Sequence, residues 1–301
     1  MTILLLGKNG QVGWELQRSL APLAPLVALD RHGADGLCGD LADPRALAAT
    51  VRVVRPAVIV NAAAHTAVDK AESEPALARR SNAEAPAVLA REAAACGALL
   101  VHYSTDYVFD GSGDVPWTED APTAPLGVYG RTKLEGEQAI RQTGCAHLIL
   151  RTSWVHAARG SNFIKTMLRL GRQRERLSVI NDQWGAPTGA ELIADITAHA
   201  VRQFQPPHTG TYHLAAAGAT TWFEYAKYVF AQAGEMPKAG KLIVSEVAPI
   251  ATGDYPTAAR RPANSRLDTR KLQTVFGLRL PPWQDGVRRV LLEILSDPSN
   301  P

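Results

Sequence analysis

Short apolar runs alternate with helical patterns through the first half of the chain, and each run is short enough for a single strand. We predict strands where these runs fall, at Ile3–Leu6, Leu26–Asp30, Ala57–Asn61, Leu99–Ser104 and His147–Arg151. Helical patterns lie between them, over Trp14–Leu20, from Asp43-Pro44 onward, over Ser81–Cys96 and over Arg131–Arg141. A further strand is expected to end at Gly39–Leu41. Strands joined by such helices predict a parallel sheet with helices on both faces.

The pattern becomes less regular after about residue 155, where prolines and glycines cluster between shorter segments. We predict strands at Leu177–Asn181, Thr211–Leu214 and Lys241–Val247. We predict helices at Glu191–Arg202, Thr221–Ala233 and Trp283–Leu295. The sequence therefore predicts an α/β protein with two parts. Residues 1–155 form a Rossmann-type doubly wound parallel sheet, and residues 156–301 form a smaller C-terminal α/β substrate lobe interleaved with it.

The composition is that of a globular protein, and it narrows the classes of partner. Of 301 residues, 46% are hydrophobic and 20% are charged, which excludes a disordered or fibrous chain. The net charge of +3 is too slight to predict a nucleic acid polymer or a membrane surface as a partner. The three cysteines are widely spaced, and no stretch reaches ~18 apolar residues. We therefore expect a cytoplasmic protein without disulfides or a membrane span.

Three glycines, Gly7, Gly10 and Gly13, separate the first predicted strand from the first predicted helix. A tight turn without side chains lets the backbone approach a pyrophosphate, and the N–H groups at the start of the helix point toward it. Such glycines can also form a plain strand–turn–helix connection. With the acidic residue described next, the pattern favours dinucleotide binding, and Gln11 and Val12 of the same loop are included among the candidates.

Asp30 ends the second predicted strand about 20 residues after the glycine loop, where an acidic residue commonly binds the adenosine ribose. Its carboxylate suits the 2′-hydroxyl of NADH and repels the 2′-phosphate of NADPH. Arg31 follows directly and can offset that repulsion by pairing with the phosphate. We therefore expect either NADH or NADPH as the cofactor.

Two further sets of residues directly follow predicted strands. We regard them as candidate cofactor-binding residues because that edge of a parallel sheet faces the cofactor crevice. Asp40, followed by Leu41, is a candidate ligand of the adenine amino group. The alternative is an Asp-containing turn before the next helix. The small side chains of Ala62, Ala63 and Ala64 leave the backbone open to a cofactor, although alanines also pack well without one.

Tyr129 and Lys133 are spaced to lie on one face of a helix, so that the ammonium can approach the phenol. A phenol with a pKa of ~10 is poorly matched to proton transfer near neutral pH, and a nearby cation lowers that pKa. The pair predicts a general acid for a carbonyl oxygen. Many such pairs arise by chance and are solvated.

Ser104-Thr105-Asp106 follows the predicted strand that starts at Leu99. A hydroxyl at this strand end can reach a substrate oxygen shared with Tyr129, although a polar strand end is often only the start of a loop. The order of glycine loop, strand-end hydroxyl and helical Tyr/Lys pair is the order that a reductase needs.

Several motifs resemble the extended short-chain dehydrogenase/reductase family, and within it the dTDP-4-dehydrorhamnose reductases. The resemblance rests first on GKNGQVG, STDYVFDG and Tyr129-Gly130-Arg131-Thr132-Lys133. Four other segments extend it over nearly the whole chain: Asn61–Lys70, Arg151–Val155, Val179–Gly189 and Arg261–Asp268. Asp110, after STDYVF, has no role that we can assign.

The resemblance implies hydride transfer from NAD(P)H to the C4 ketone of dTDP-4-dehydro-6-deoxy-L-mannose. The product is dTDP-L-rhamnose, a precursor of surface polysaccharide such as lipopolysaccharide. The resemblance further implies that Tyr129 donates the proton and that Lys133 holds the nicotinamide ribose. It also implies that Thr105 binds the C4 oxygen with Asp106 beside it, and that Trp154 contacts the sugar.

Two other functions remain open on the sequence. Sugar-nucleotide 4,6-dehydratases and epimerases resemble this chain, but the dehydratases carry a Glu after the Asp of this motif, where Tyr107 stands here. A non-catalytic NADP-binding regulatory subunit of methionine adenosyltransferase has a similar fold. The presence of Thr105, Tyr129 and Lys133 together favours catalysis.

The same resemblance implies a metal site formed by three glutamates. Some of these reductases are homodimers bridged by Mg²⁺, and Glu15, Glu191 and Glu293 fall at the corresponding positions. Carboxylate oxygens are suitable Mg²⁺ ligands. The alternative is that Glu293, in the apolar run Val290–Leu295, only faces water. We expect such a metal to be structural and far from Tyr129.

Overall fold

The computed structural model describes residues 1–236 and 241–296. Its strands are β1 (Ile3–Leu6), β2 (Leu26–Leu29), β3 (Val58–Asn61), β4 (Leu99–Thr105), β5 (His147–Thr152), β6 (Val155–His156), β7 (Arg176–Ile180), β8 (Trp184–Gly185), β9 (Thr188–Gly189), β10 (Gly210–His213), β11 (Thr220–Thr221) and β12 (Glu246–Ile250). Its α-helices are α1 (Gln11–Leu20), α2 (Pro44–Val54), α3 (Val68–Ser73), α4 (Pro75–Arg79), α5 (Ala85–Cys96), α6 (Val128–Thr143), α7 (Phe163–Gly171), α8 (Ala190–Gln203), α9 (Trp222–Gly234), α10 (Arg270–Phe276) and α11 (Trp283–Ser296). None of the described helices is both long and apolar enough to cross a membrane.

A six-stranded sheet, entirely parallel, forms the centre of the fold, with the strand order β10-β5-β4-β3-β1-β2. The predicted α/β class and Rossmann-like parallel sheet are confirmed. The edge strand β10 comes from the C-terminal half of the chain and pairs with β5. All six strands end at the same edge of the sheet, which is where a parallel sheet of this kind binds ligands.

Both faces of the sheet are buried, as the continuous apolar strands predict. Side chains alternate along β1, so that Ile3 and Leu5 pack on one face with helices α1 and α8, whereas Leu4 and Leu6 pack on the other with helices α2 and α5. A separate cluster joins α7, α9 and α11 in the C-terminal half. The site is therefore supported by a rigid, doubly covered sheet.

The strand expected to end at Gly39–Leu41 does not form, and this prediction was wrong. Residues 31–40 make a loop in which Gly33, Asp35 and Gly36 have positive φ angles, which interrupt an extended strand. The N–H of Cys38 donates to the hydroxyl of Thr50 on α2, at 2.8 Å, instead of to a neighbouring strand. As a result, β2 is the edge of the sheet.

Two other predicted elements differ from the structure at their N-terminal ends. The helix predicted from Ser81 starts with a π-helical turn over Arg80–Glu84, and α5 follows it. Pro86 lacks an N–H and so removes one α-helical hydrogen bond at this point. The strand predicted at Lys241–Val247 is β12, which pairs in parallel with β7.

Candidate active site

The glycine loop packs directly against the chain that follows β3. Gly7 has a φ of +87°, and a Cβ on it would lie 2.7 Å from the Ala63 nitrogen, so that only glycine fits. A Cβ on Gly13 would collide with the Gly7 carbonyl oxygen. Gly10 is the N-cap of α1 and offers no capping side chain. The first N–H groups of α1 are therefore suited to binding a phosphate.

Asp30, at the end of β2, lies beside this loop. Its carboxylate accepts hydrogen bonds from Asn9 Nδ2 at 2.6 Å and from the His32 main-chain N–H at 2.9 Å. The side chain of Arg31 is exposed next to it. The structure thus brings Asp30 and the glycine loop together.

Asp40 and Leu41 have local structural roles. Asp40 accepts a hydrogen bond from the Ala42 N–H at 2.9 Å, which is the turn named as the alternative to adenine binding. Leu41 is buried in the core, so that only its backbone remains for a cofactor. Ala62, Ala63 and Ala64 follow β3; the first two contact Gly7 closely enough to exclude a Cβ there.

The C-terminal half contributes to the cofactor side in a way that the sequence did not reveal. Gln11 accepts a hydrogen bond from Asn162 at 3.0 Å, and Val12 packs against the core beneath the loop. The Arg159 guanidinium lies 4.1 Å from the centre of the half-exposed Trp14 ring. Residues of the second half therefore close over the start of α1.

Lys133 is buried at the ends of the central strands. Its Nζ donates to the main-chain oxygen of Tyr103 at 2.5 Å and lies 3.2 Å from Nε2 of His102. His102 Nδ1 lies 3.2 Å from Nδ2 of Asn61 on β3. Burial lowers the pKa of Lys133 to about 8, although Glu137 opposes the shift. Sequence reasoning missed His102 and Asn61; the only signal was a polar residue inside each of two apolar strands.

Thr105 connects the turn after β4 with Tyr129. Its hydroxyl donates to Asp106 Oδ1 at 3.0 Å, accepts from the Tyr107 N–H at 3.1 Å and hydrogen bonds with the Tyr129 hydroxyl. Gly130 allows this approach, since a Cβ there would collide with the Tyr107 carbonyl oxygen. Burial raises the pKa of Asp106 to about 6. The structure thus brings together Thr105, Asp106 and Tyr129.

The protonation of Tyr129 differs from the expectation that Lys133 lowers its pKa. Burial raises the pKa of Tyr129 to about 12, and the hydrogen bond with Thr105 only partly opposes this. The Lys133 ammonium is directed instead at His102 and the Tyr103 carbonyl oxygen. The phenol is therefore protonated near neutral pH, which is the form that a general acid requires.

A small, open depression lies beside Tyr129, between α3, the start of α6 and a segment of the C-terminal half. Its lining includes Tyr107, Glu72 and Arg260. Glu72 accepts a hydrogen bond from the Val128 N–H at 2.8 Å and thereby caps the helix that carries Tyr129. The depression therefore lies where the C-terminal half meets the helix that carries Tyr129.

Trp154, predicted to contact the sugar, lies in an aromatic stack that belongs to the C-terminal half. Its φ is 47°, a left-handed conformation, and its ring stacks on that of Trp222 with 3.6 Å between the ring centres. Gly185 makes room for the ring, since a Cβ there would lie 2.5 Å from it. The stack continues to Phe163 and Tyr225. These rings form one aromatic cluster within the C-terminal half.

The three candidate metal ligands are close enough to influence one another. The pKa of Glu191 is raised, chiefly by burial, and the charges of Glu15 and Glu293 add to the shift. Glu293 itself is exposed, which agrees with the alternative that it only faces water. Within residues 1–236 and 241–296, no group of three or more His, Cys, Asp or Glu side chains is arranged to hold a metal ion. A single chain therefore does not form the predicted Mg²⁺ site.

A parallel Rossmann-type sheet, a glycine loop at a helix N-terminus and a Tyr/Lys pair beside a strand-end threonine together define a short-chain dehydrogenase/reductase. Residues 1–296 match the family described as the RmlD substrate binding domain. The chain belongs to this family, which confirms the resemblance inferred from its motifs.

Comparisons of the chain with individual proteins lead to the same family. The chain is 57% identical to dTDP-4-dehydrorhamnose reductase of Escherichia coli K12, over 98% of this chain and 99% of that protein. A solved dTDP-4-dehydrorhamnose reductase from Clostridium acetobutylicum has a TM-score of 0.89 and 33% identity, over 99% of this chain and 100% of that one. The Bacillus anthracis enzyme in complex with NADP has a TM-score of 0.88 and 34% identity, over 97% and 99% of the two chains.

Proposed function

We propose that this chain reduces the C4 ketone of dTDP-4-dehydro-6-deoxy-L-mannose to dTDP-L-rhamnose with NAD(P)H. One structural observation carries the proposal. Gly7 packs on Ala62–Ala63, Asn61 directly precedes these alanines and contacts His102, and His102 contacts Lys133. The cofactor loop and the Tyr/Lys helix thus meet along one edge of the sheet.

The residues present fit a nicotinamide dinucleotide. Side chains are excluded from the glycine loop by close backbone packing, and the N-terminus of α1 is open to a pyrophosphate. When bound, the reduced nicotinamide supplies the hydride. Lys133 has one ammonium donor left after its contacts with β4, and this donor is available to the cofactor ribose.

Proton transfer falls to Tyr129. Its neutral hydroxyl gives its proton to the ketone oxygen as negative charge develops there. Thr105 orients the phenol by their shared hydrogen bond and is placed to bind the same substrate oxygen. In the chain without substrate the Thr105 hydroxyl donates its hydrogen bond to Asp106 Oδ1, and we infer that it turns from Asp106 to the ketone oxygen when the substrate binds. Trp154 offers its ring as a surface for the sugar.

Either NADH or NADPH fits the adenosine end of the proposed site. Asp30 has carboxylate oxygens in contact with Asn9 and the His32 N–H, and Arg31 is exposed beside them. The acid favours a free 2′-hydroxyl, and the arginine favours a 2′-phosphate. We infer dual cofactor use.

We further infer that two copies of the chain can be joined by Mg²⁺. The support is the raised pKa of Glu191 beside Glu15 and Glu293, since a cation would neutralise carboxylates gathered at a two-fold axis. Light scattering with and without a chelator tests this inference. We expect a dimer that dissociates on chelation; a monomer in both conditions, or a metal-free dimer, contradicts it.

We infer the domain organisation from the same geometry, with cofactor binding by residues 1–155 and sugar-nucleotide binding mainly by residues 156–301. The product would serve the synthesis of surface polysaccharide, including lipopolysaccharide. These roles depend on the proposed reaction, and a result that contradicts the reaction also contradicts them.

The experiment is an assay of the purified chain alone with the ketosugar nucleotide and either cofactor. We expect consumption of the reduced cofactor in a one-to-one ratio with formation of dTDP-L-rhamnose. A chain that eliminates water from a dTDP-hexose contradicts the proposal and favours the dehydratase alternative. A chain that binds NADP tightly without turnover favours a regulatory subunit.

A further inference from the structure

Two consecutive residues of β4 hold the Lys133 ammonium. The main-chain oxygen of Tyr103 and Nε2 of His102 lie 2.5 Å and 3.2 Å from Nζ. Lys133 and His102 expose only 2% and 1% of their surfaces, so these contacts exchange little with water. An ammonium has three donors, and two of them are therefore engaged by the strand.

His102 is anchored in turn by the neighbouring strand. Asn61 on β3 is its partner in the sheet register, and Asn61 Nδ2 lies 3.2 Å from Nδ1 of the imidazole. The other end of the amide, Oδ1, accepts from the Ala63 N–H at 3.3 Å. Asn61 also directly precedes Ala62 and Ala63, on which the glycine loop packs, and so connects the imidazole to that segment through the main chain.

The carboxylates near Lys133, those of Glu137 and Asp106, each interact with another residue as well. Glu137, one turn further along α6, favours the ammonium, but its carboxylate is shared with Arg151 on β5. Asp106, in the turn after β4, acts on the Tyr129 phenol. Within residues 1–236 and 241–296, His102 is therefore the ionisable side chain at hydrogen-bond distance from Nζ.

Burial holds the pKa of His102 well below its usual value, and the neighbouring ammonium adds to this shift. The imidazole is neutral at the pH where Lys133 is protonated. A neutral imidazole that accepts at Nε2 carries its proton on Nδ1. The Asn61 amide then presents its oxygen to Nδ1, in the orientation related to the present one by a half-turn, and the long contact of that oxygen with the Ala63 N–H at 3.3 Å is given up.

We propose that His102, anchored by Asn61, is a positioning residue that keeps Lys133 protonated and aims its remaining donor into the site. This inference rests on the proposed function, since the cofactor ribose is the group that the donor meets. The strand carbonyl supplies one fixed acceptor, and the imidazole supplies the second, which together determine the direction of the third N–H.

The titration of Lys133 in the chain without cofactor tests the proposal independently of activity. Lysine side chains labelled with ¹³C are followed by NMR, and the Lys133 signal is identified by its loss in Lys133→Met. We expect His102→Leu to lower the Lys133 midpoint by roughly one to two pH units, the scale of one hydrogen bond to a charged group. His102→Gln, which restores an acceptor, should return the midpoint toward that of the wild type.

His147→Leu is the matched control, because it removes another buried imidazole, one that contacts the Cys145 carbonyl oxygen instead of Lys133. Its Lys133 midpoint should equal that of the wild type. An unchanged midpoint in His102→Leu, or an equal shift in the control, overturns the proposal. If His102→Leu does not fold, Asn61→Ala must lower the midpoint, and an unshifted midpoint there overturns the proposal as well.

The same variants distinguish this proposal from the proposed function. In an active enzyme, the alkaline limb of the kcat profile should move to lower pH in His102→Leu, and the control should keep the wild-type limb. Wild-type protein without reductase activity contradicts the proposed function, whereas the NMR result still decides the role of His102. An active wild type with an unshifted Lys133 in His102→Leu contradicts only the positioning role.

Discussion

Arg151 binds the carboxylate of Glu137 through two nitrogens, with Nε at 2.9 Å from Oε1 and Nη2 at 2.7 Å from Oε2, and both side chains are buried. Burial alone raises the pKa of Glu137, but the guanidinium outweighs it, so that the pKa is lowered. Ser104, next to Thr105, donates to the same carboxylate at 2.5 Å. This ion pair therefore joins α6, which carries Tyr129, to two strands of the sheet.

Removal of one partner should be costly, because it leaves a buried charge without compensation. We expect Glu137→Ala to lower the free energy of unfolding by about 3–5 kcal/mol. Glu135→Ala is the control on the same helix: Glu135 pairs with Arg79 at the surface, and such pairs contribute about 1 kcal/mol or less. Denaturant unfolding of both variants measures the difference. Equal losses would contradict the structural role of the buried pair.

Replacement of Tyr129 by Phe should remove the proton donor and preserve the ring. We expect kcat to fall by roughly 10²-fold or more, the usual scale of general acid catalysis, with little change in cofactor affinity. Tyr107→Phe is the control, since the Tyr107 ring packs edge-on against Tyr129 at 5.6 Å. Steady-state kinetics and cofactor titration give both quantities. Near-normal turnover in Tyr129→Phe would remove this residue from the mechanism.

The cofactor preference should depend on Arg31. Arg31→Ala should reduce kcat/KM with NADPH more than with NADH, because only NADPH carries the 2′-phosphate that the guanidinium can pair with. Arg55→Ala, which changes an arginine at the end of α2, is the control. Equal losses with both cofactors in Arg31→Ala would mean that this side chain does not reach the 2′ position.

Acid should destabilise the fold through His213. Burial lowers the pKa of His213 to about 3, and Arg151 adds to the shift, so the folded chain holds a neutral imidazole. A depressed folded pKa stabilises the fold above the unfolded value of about 6.5, and this contribution is lost as the pH falls toward 3. Asp106, with its pKa raised to about 6, acts in the opposite direction.

The test compares His213→Gln with the wild type, so that the contribution of Asp106 cancels. The Tm of the wild type should fall more steeply between pH 6.5 and pH 4 than that of the variant. His199→Gln, at an exposed position on α8, is the control and should follow the wild type. Parallel curves for wild type and His213→Gln would contradict the assignment.

The sequence was most informative where one local pattern decides the structure. The apolar runs at Ile3–Leu6 and His147–Arg151 gave strands, and the glycine spacing gave the tight turn that Gly7 and Gly13 require. The strand expected before Asp40 failed because three left-handed residues interrupt it, which an apolar pattern does not reveal.

Contacts between distant segments could not be predicted. Asn61 and His102 each stand in an apolar strand, but their contact with Lys133 depends on the order of β3 and β4 in the sheet. The spacing of Tyr129 and Lys133 placed them on one helix face. It did not show that His102 and the Tyr103 carbonyl oxygen would take up the ammonium.

Delivery of a hydride to C4 of the sugar is best measured by isotope transfer from the cofactor. Purified wild-type chain is given NADPH or NADH deuterated at the transferred position, with dTDP-4-dehydro-6-deoxy-L-mannose, and the product is analysed by NMR. We expect one deuterium at C4 of dTDP-L-rhamnose for each cofactor oxidised, and none at other carbons. Product without deuterium at C4, or no product from the chain alone, would contradict the proposed reaction.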